Sequence, residues 1–407
     1  MLRNNDFLRV SLYRLPLIII MILKFTMVLY MECDFVNQME SDELVCRFVH
    51  ASDLHIGNYQ YTNPNRAMDY IHALRFLLEN VFQLSSDFLL LGGDVFNSID
   101  LLPFYFAQVV DTLRKFYEKT KKQIPIIAIE GNHDIRSFSK GTKISSNHSW
   151  LEILSDLDLI ILLNSPLEDT ERNIESININ EVNIFGNTYC GEKIDPHLPQ
   201  IMKNIPSRNE FNILLNHVGI EGQMEGIPGQ DKKVLDHTIK SRIHYLGLGH
   251  FHRQYIIDRW IYNPGCLIPA CISDFNLPHG YFLVDVTKSS DFLIEIQRKQ
   301  LPERSLIWHT ITFKVYPKTK REMIALIIRH LNGFIRRNRG SYNPYDKSVP
   351  ILCLRIRSPS AKPLSTAMRK EIRDVLLQTF TIIECNVYQD LISYKPLMAF
   401  CGNIDNT

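Results

Sequence analysis

Leu246-Gly247-Leu248-Gly249-His250-Phe251-His252 is an apolar run that ends in two histidines one residue apart. Such a run reads as a buried strand breaking into a glycine-loosened loop, so that both imidazoles leave the sheet at its carboxyl edge. That edge is where α/β proteins place their chemistry. What the pair does depends on what else reaches it.

Working outward, the same grammar recurs. Leu44-Val45-Cys46-Arg47-Phe48-Val49 reads as a first strand and runs into Ser52-Asp53-Leu54-His55-Ile56-Gly57. The spacing of Ala67, Ile71, Leu74, Leu77, Leu78 and Val81 predicts a helix over about 65–82. Asp87-Phe88-Leu89-Leu90-Leu91 is a second strand, stopping at Gly92-Gly93-Asp94. A helix over about 104–119 leads to a third strand, 124–129, which stops at Gly131-Asn132-His133-Asp134. Further on, 181–185 reads as a strand, and Phe211-Asn212-Ile213-Leu214-Leu215 as another ending in Asn216-His217. After Tyr262-Asn263-Pro264-Gly265, runs at 281–286 and 292–297 suggest a hairpin that closes the domain near residue 300. Strands alternating with helices mark a layered α/β domain.

The chain has 407 residues, 45% of them apolar and 22% charged, which suits a globular protein of more than one core. Its eight cysteines are scattered without a C-x-x-C pair. That argues against a zinc ribbon or a disulfide framework and fits a reducing compartment, so the expected localisation is cytoplasmic or otherwise intracellular. The N-terminus complicates this. Residues 15–31 are almost wholly apolar and follow Arg3, Arg9 and Arg14, the outline of a signal anchor. Yet Lys24 sits near the middle, where it costs roughly 2.5–3.5 kcal/mol against about 0.3–0.6 returned by each Leu or Ile. The expectation is that 1–43 is an extension outside the fold, with translation starting at Met31 or Met39, and that a membrane tether through 15–31 is the alternative.

Residues 305–390 look like a separate basic unit followed by a tail, 391–407. Thr310 to Tyr316 alternates like a strand, and a helix at 320–338, a strand at 349–357, a helix at 364–379 and a strand at 381–388 complete a β-α-β-α-β pattern. Between Lys314 and Arg373 there are fifteen Lys/Arg against three Asp/Glu, so a net +12 there is hidden by −11 over the rest of the chain. A basic unit beside an acidic one suggests a polyanion, with nucleic acid the favoured partner.

Collected in order, the strand ends offer Asp53, His55, Asp94, Asn132, His133, Asp134, His217, His250 and His252. Nitrogen and oxygen ligands without thiolates suit Mn, Fe, Zn or Mg, and a bridging carboxylate lets two ions share one site. Asp53-x-His55, Gly93-Asp94, Gly131-Asn132-His133-Asp134, His217 and Gly249-His250-Phe251-His252 resemble the five blocks of the calcineurin-like metallophosphoesterases. Ser52-Asp53-Leu54-His55-Ile56-Gly57, Gly93-Asp94-Val95-Phe96 and Tyr262-Asn263-Pro264-Gly265 are closer still to the SbcD-type DNA repair exonucleases, the nuclease subunit of a double-strand-break repair nuclease–ATPase complex. The resemblance covers about 44–300.

It implies an α/β fold, a layered β-sandwich flanked by helices over 44–304, with a small α+β capping and DNA-binding domain over 305–390. One metal would be held by Asp53, His55, Asp94 and His252, and a second by Asp94, Asn132, His217 and His250, with Asp94 bridging. His133 would face the scissile phosphate as general acid or transition-state stabiliser, and Asp134 would fix its tautomer or act behind it. The cofactors would be two divalent ions, usually Mn²⁺ in that family, although the ligand set alone does not select it. The activity would be exonuclease and endonuclease hydrolysis of DNA ends, hairpins or single strands by a metal-activated hydroxide, and the partners an SbcC-type coiled-coil ATPase and a second copy of the chain. Two departures bear on this. Asn97 stands where archaeal and eukaryotic members carry a second histidine, and the chain ends at Thr407 without the helices that dock on the ATPase in longer members. No G-x-x-x-x-G-K-[ST] is present, so any ATP use would be the partner's.

Two other functions remain open on the residues. The dinuclear site can serve a nucleotide or a phosphoprotein, or the chain can be a non-catalytic DNA-end-binding subunit, which a complete ligand set disfavours. The remaining histidines (50, 72, 148, 197, 237, 244, 279, 309 and 330) read as surface or core residues, and Arg136 as a candidate phosphate contact.

Overall fold

The computed structural model describes residues 43–60, 63–135, 149–163, 175–194, 198–206, 210–313, 315–337, 350–357, 364–380, 382 and 384–390. The apolar segment 15–31, the tail 391–407, His148, His197, Arg136 and Lys314 lie outside them. Among the described residues no helix is long and apolar enough to cross a membrane.

The first half of the chain runs β1 (Glu43–Ala51), α1 (Pro64–Gln83), β2 (Phe88–Leu91), α2 (Pro103–Thr120), β3 (Ile126–Ala128), α3 (Trp150–Asp156) and β4 (Ile161–Leu162). The second runs β5 (Ser176–Ile179), β6 (Val182–Asn187), α4 (Leu198–Asn204), β7 (Phe211–Asn216), α5 (Lys232–Thr238), β8 (Tyr245–Leu248), β9 (Tyr255–Ile257), β10 (Ile261–Asn263), β11 (Tyr281–Lys288) and β12 (Phe292–Lys299). Two six-stranded sheets result, ordered β12-β11-β1-β2-β3-β4 and β5-β6-β7-β8-β10-β9. From β1 to β4 and from β6 through β7 and β8 to β10 the pairing is parallel. Antiparallel β5 and β9 close the second sheet's edges.

Parallel strands buried on both faces need continuous apolar runs, which is why Phe88-Leu89-Leu90-Leu91 is buried along its whole length. Successive side chains point to opposite faces. On β1, Val49 and Ala51 join the core under α1 and α2, with Leu74, Leu78 and Val109. The alternate residues, Phe48 and His50, meet Tyr245 of the second sheet at ring separations of 5.2 and 5.7 Å. On β8, Leu246 and Leu248 face the other way, into a core with Leu198, Ile201, Leu235 and Ile239 of α4 and α5. The order of layers is therefore helix, sheet, sheet, helix.

Helix boundaries follow from local chemistry. Asn63 caps α1 by accepting from the Asn65 amide at 3.0 Å, and Pro64 occupies the first turn, where its missing N–H is no loss. Lys121, at φ 52°, ends α2 in the left-handed region.

The basic unit runs β13 (Leu306–Thr312), α6 (Lys320–Arg337), β14 (Ile351–Arg357), α7 (Thr366–Thr379) and β15 (Glu384–Asp390). Its sheet, ordered β13-β14-β15, is parallel throughout. It has a core of its own that includes Ile311, Ile327, Leu331, Leu354, Ile372 and Leu376. The first strand begins earlier than the 310–316 expected from alternation, because Leu306-Ile307-Trp308 pair with Ile351-Leu352-Cys353. The described residues of 46–285 and 294–390 make one compact unit, which contains all the candidate metal ligands. Of the described residues, 43–45 and 286–293 fall in a small second unit, in which the Ser289 amide donates to the Asp291 carbonyl at 3.2 Å.

Candidate metal centre

Five strands deliver the candidate residues: β1 leads to Asp53 and His55, β2 to Asp94, β3 to Asn132, His133 and Asp134, β7 to His217, and β8 to His250 and His252. They come from two sheets, not from one edge, and the facing edges meet. The Asp53 amide donates to the Gly93 carbonyl and the His55 amide to the Asp94 carbonyl, both at 3.0 Å. Across the sheets, the His250 amide donates to both oxygens of Asp53, at 3.2 and 3.1 Å.

This convergence forces unusual backbone. Asp53, His55, Asp94 and His250 all have positive φ, at 52°, 47°, 51° and 80°. A non-glycine residue there costs on the order of 1–3 kcal/mol and persists only where its surroundings over-determine it. The glycines beside them serve close approach. A Cβ on Gly131 would sit 2.2 Å from Asp94 Oδ1, and one on Gly249 would sit 2.3 Å from the Gly92 carbonyl oxygen. Gly249 is thus required by packing between the two sheets, a reason that a glycine read only as a loop-former does not reveal.

His217, His250 and His252 each engage a neighbour through Nδ1, and His55 does not. His217 is fully buried; its Nδ1 donates to the Gly92 carbonyl at 2.7 Å. Its Nε2 stands 3.2 Å from Asp94 Oδ2, off the line a hydrogen bond would take. His250 Nδ1 lies 2.9 Å from Asn132 Oδ1, with its Nε2 3.5 Å from Glu192. His252 Nε2 lies 3.0 Å from His55 Nε2 and 4.0 Å from Asp53 Oδ1, and its Nδ1 is 2.8 Å from Asp274. The buried His55 Nδ1 has no hydrogen-bond partner.

His133 is exposed, with its ring centroid 4.9 Å from that of His55. Its Nδ1 donates to the Asn97 carbonyl at 2.8 Å, which leaves Nε2 for other partners, and the side chain lies within ligand reach of His55 and Asp94. The tautomer-fixing role expected of Asp134 therefore falls to a backbone oxygen. Asp134 is instead taken up by three amides, Gly131 at 2.9 Å, Phe96 at 2.9 Å and Val95 at 3.2 Å, so it ties the loop after β2 to the loop after β3. Asn97 contributes its carbonyl, so this contact does not depend on the side chain at position 97.

Charge is concentrated here. Burial would raise Asp94, but His217 outweighs it and holds the carboxyl well below the usual range. Burial would lower His217 and His252. Asp94 instead lifts His217 to about 9, and Asp274 lifts His252 to about 10. Burial pushes His55 and His250 down to about 3, helped by the neighbouring histidines. Two other buried carboxylates, Asp53 and Asp134, are raised, first by desolvation. Asp94 contributes to Asp134 as well, which reaches about 8.

The donor set fits cations. Asp53, His55 and His252 bring ligand atoms within 4.8 Å of one another, as do Asp53, Asp94 and His217. Imidazole nitrogens bind an ion at about 2.0–2.1 Å, so two adjacent ligands of one ion stand roughly 3 Å apart. That is the separation of His55 and His252, and of His250 and Asn132. Three partners escaped the sequence reading. Asp274 and Glu192 lie far from the motifs in the chain, and the Gly92 oxygen is backbone; none has a sequence signature.

A structural role suits several other histidines. His50 Nδ1 lies 2.9 Å from the buried Tyr245 hydroxyl, His244 accepts the Asn212 amide at 3.1 Å, and His279 pairs with Glu303 at 3.0 Å.

A family model described as calcineurin-like phosphoesterase matches residues 46–254, about half of the chain. The chain is 33% identical over 182 residues to the DNA double-strand break repair protein Mre11 of Archaeoglobus fulgidus, covering 43% of this chain and 39% of that protein. It is 24% identical over 339 residues to the protein of the same name from Sulfurisphaera tokodaii, covering 81% of this chain and 77% of that one. Against the SbcD component of the nuclease SbcCD from Staphylococcus epidermidis the identity is 24% over 257 residues, 59% of this chain and 66% of that one.

Proposed function

The chain belongs to the calcineurin-like phosphoesterase family, and on that premise we propose that it is a metal-dependent DNA nuclease acting in double-strand-break repair. The observation that carries the reading is the convergence of Asp53, His55, Asp94, Asn132, His217, His250 and His252 at the meeting of two sheets, with His133 at its rim. Relatives named for double-strand break repair and as a component of the nuclease SbcCD support the substrate class. The family uses dinuclear metal centres, and residues able to hold such a centre are present.

Asp53, His55, Asp94 and His252 would hold one ion, and Asp94, Asn132, His217 and His250 the other; Mn²⁺ is the metal we assign. Two bound ions lower the pKa of an attacking water and neutralise charge on the phosphodiester and the leaving oxygen. The protein's part is positional. Asp94 would serve both sites: its carboxylate lies within ligand reach of His55 on one side and of His217 on the other, and its Oδ1 also accepts the His133 amide at 2.7 Å. Asp134 holds the loop that presents Asn132 and His133. With Nδ1 committed to Asn97, His133 can deliver a proton only from Nε2, to the departing oxygen of the DNA strand.

Residues 44–304 form the nuclease domain in this reading, 305–390 the capping domain that carries DNA, and 391–407 a tail. Arg321, Arg329, Arg369 and Lys370 are exposed on α6 and α7. An SbcC-type coiled-coil ATPase, a second copy of the chain and an intracellular location complete the proposal. The test uses end-labelled linear duplex with Mn²⁺. Wild-type protein should degrade it; replacing those four cations by Ala should cut DNA cleavage at least tenfold and flatten its salt dependence, leaving hydrolysis of a small aryl phosphodiester unchanged. Intact duplex with wild-type protein at low salt would overturn the nuclease reading.

Metal binding should also release protons. His217 and His252, raised to about 9 and about 10, are protonated at neutral pH without metal. Cations compete with those protons, so Mn²⁺ uptake at pH 7.5 should release about two protons per chain. The release should shrink, and apparent affinity level off, as pH rises through that window. Calorimetry in buffers of different ionisation enthalpy reads the number directly, and zero release would contradict the assignment of these two ligands.

A further inference from the structure

Asp274 is 1% exposed, in the 3-10 turn Ile272–Asn276 that follows the second sheet. Its Oδ2 accepts three hydrogen bonds, from His252 Nδ1 at 2.8 Å and from the amides of Ala270 at 3.0 Å and Cys271 at 2.9 Å. Its Oδ1 accepts the Cys271 thiol at 3.0 Å. The turn is braced from α1 and the first loop: the Tyr70 hydroxyl and the Arg66 guanidinium both donate to the Pro269 carbonyl, Arg66 stands over the Phe275 ring at 5.8 Å, and Asn58 donates to the Ala270 carbonyl at 3.0 Å.

Burying a carboxylate is costly unless its charge is used. The two amides do not need it, because the oxygen of an asparagine would accept them equally well. The thiol is a weak donor. What requires a negative charge is the ring of His252, and a carboxylate behind an imidazole fixes its tautomer and strengthens the opposite nitrogen as a ligand.

We infer that Asp274 is the positioning residue of the first ion site: it holds the His252 proton on Nδ1 and aims Nε2 into the space shared with His55 and Asp53. The inference rests on the dinuclear reading above. It also makes the two sites unequal. Glu192, which faces His250 on the second site, stands 3.5 Å away on a half-exposed residue, whereas Asp274 is buried and in full hydrogen-bond contact.

The test follows Mn²⁺ binding by the loss of the free-ion electron paramagnetic resonance signal, in wild type, Asp274→Asn and Asp274→Glu. Wild type should bind two ions per chain. Asp274→Asn should weaken one of them about 10–100-fold and leave the other unchanged. Its metal-free melting temperature should stay close to wild type, which a purely structural role would not allow, and Asp274→Glu should restore part of the affinity. Unchanged affinity for both ions in Asp274→Asn would overturn the inference while leaving the dinuclear reading intact. Fewer than two ions in wild type would remove both. Should neither variant fold, nitrogen-15 spectra of wild type loaded with diamagnetic Zn²⁺ decide: the His252 proton belongs on Nδ1, and a proton on Nε2 would refute the role.

Discussion

Asp94→Asn should abolish phosphodiester hydrolysis, by at least about 10³-fold, or roughly 4 kcal/mol of barrier, and should leave fewer than two Mn²⁺ ions bound per chain. Asp94 Oδ1 accepts the His133 amide at 2.7 Å, an acceptor role that asparagine can fill with its own oxygen. Its Oδ2 faces His217 at 3.2 Å in the middle of the site, and there asparagine must place an amide nitrogen that has no lone pair for a cation. The amide also lacks the charge that holds His217 up near 9. On the dinuclear reading, one substitution would therefore remove the bridge and the counter-charge together, while the side chain's volume and the amide contact survive. Circular dichroism should show an unchanged fold. Metal counting by equilibrium dialysis, with turnover of an aryl phosphodiester, checks the rest; activity within tenfold of wild type would remove Asp94 from the centre.

The legibility of this site in the sequence was uneven, for physical reasons. Buried parallel strands need uninterrupted apolar runs, so Phe88–Leu91 and Phe211–Asn216 declare themselves, and the polar residues that follow mark the strand ends. The helices at 64–83 and 103–120 lie within a residue of the periodicity. Sequence order could not show that β1 to β3 and β7 to β8 belong to different sheets, because parallel strands of either sheet carry the same pattern. It also hid most of the outer contacts. Gly92, Asn97 and Asp134 act through or upon backbone atoms, which have no side-chain signature. Asp274 lies 22 residues beyond the histidine it serves. Motifs record the atoms that meet a ligand, whereas the atoms that aim them are chosen by the fold.

That distinction separates the two roles left open for His133. If it is a general acid, His133→Gln should cost about 10²–10⁴-fold on DNA, the usual worth of a positioned proton donor. The deoxyribose oxygen that leaves is a strongly basic alkoxide and needs the proton. A nitrophenolate leaves without one, so bis(4-nitrophenyl) phosphate should lose less than tenfold. If His133 instead stabilises charge on the phosphate, both substrates lose equally, because the equatorial oxygens are the same in each. The geometry favours the acid. Asn97 takes Nδ1, and the side chain, although within reach of His55 and Asp94, is exposed where the ligands are buried or half-buried, so Nε2 is the nitrogen left to pass a proton. A charge stabiliser gains most from burial, where the dielectric is low; a proton donor that must recharge between turnovers gains from solvent. Equal losses on the two substrates would move His133 to the electrostatic role and leave the departing oxygen to be protonated by water.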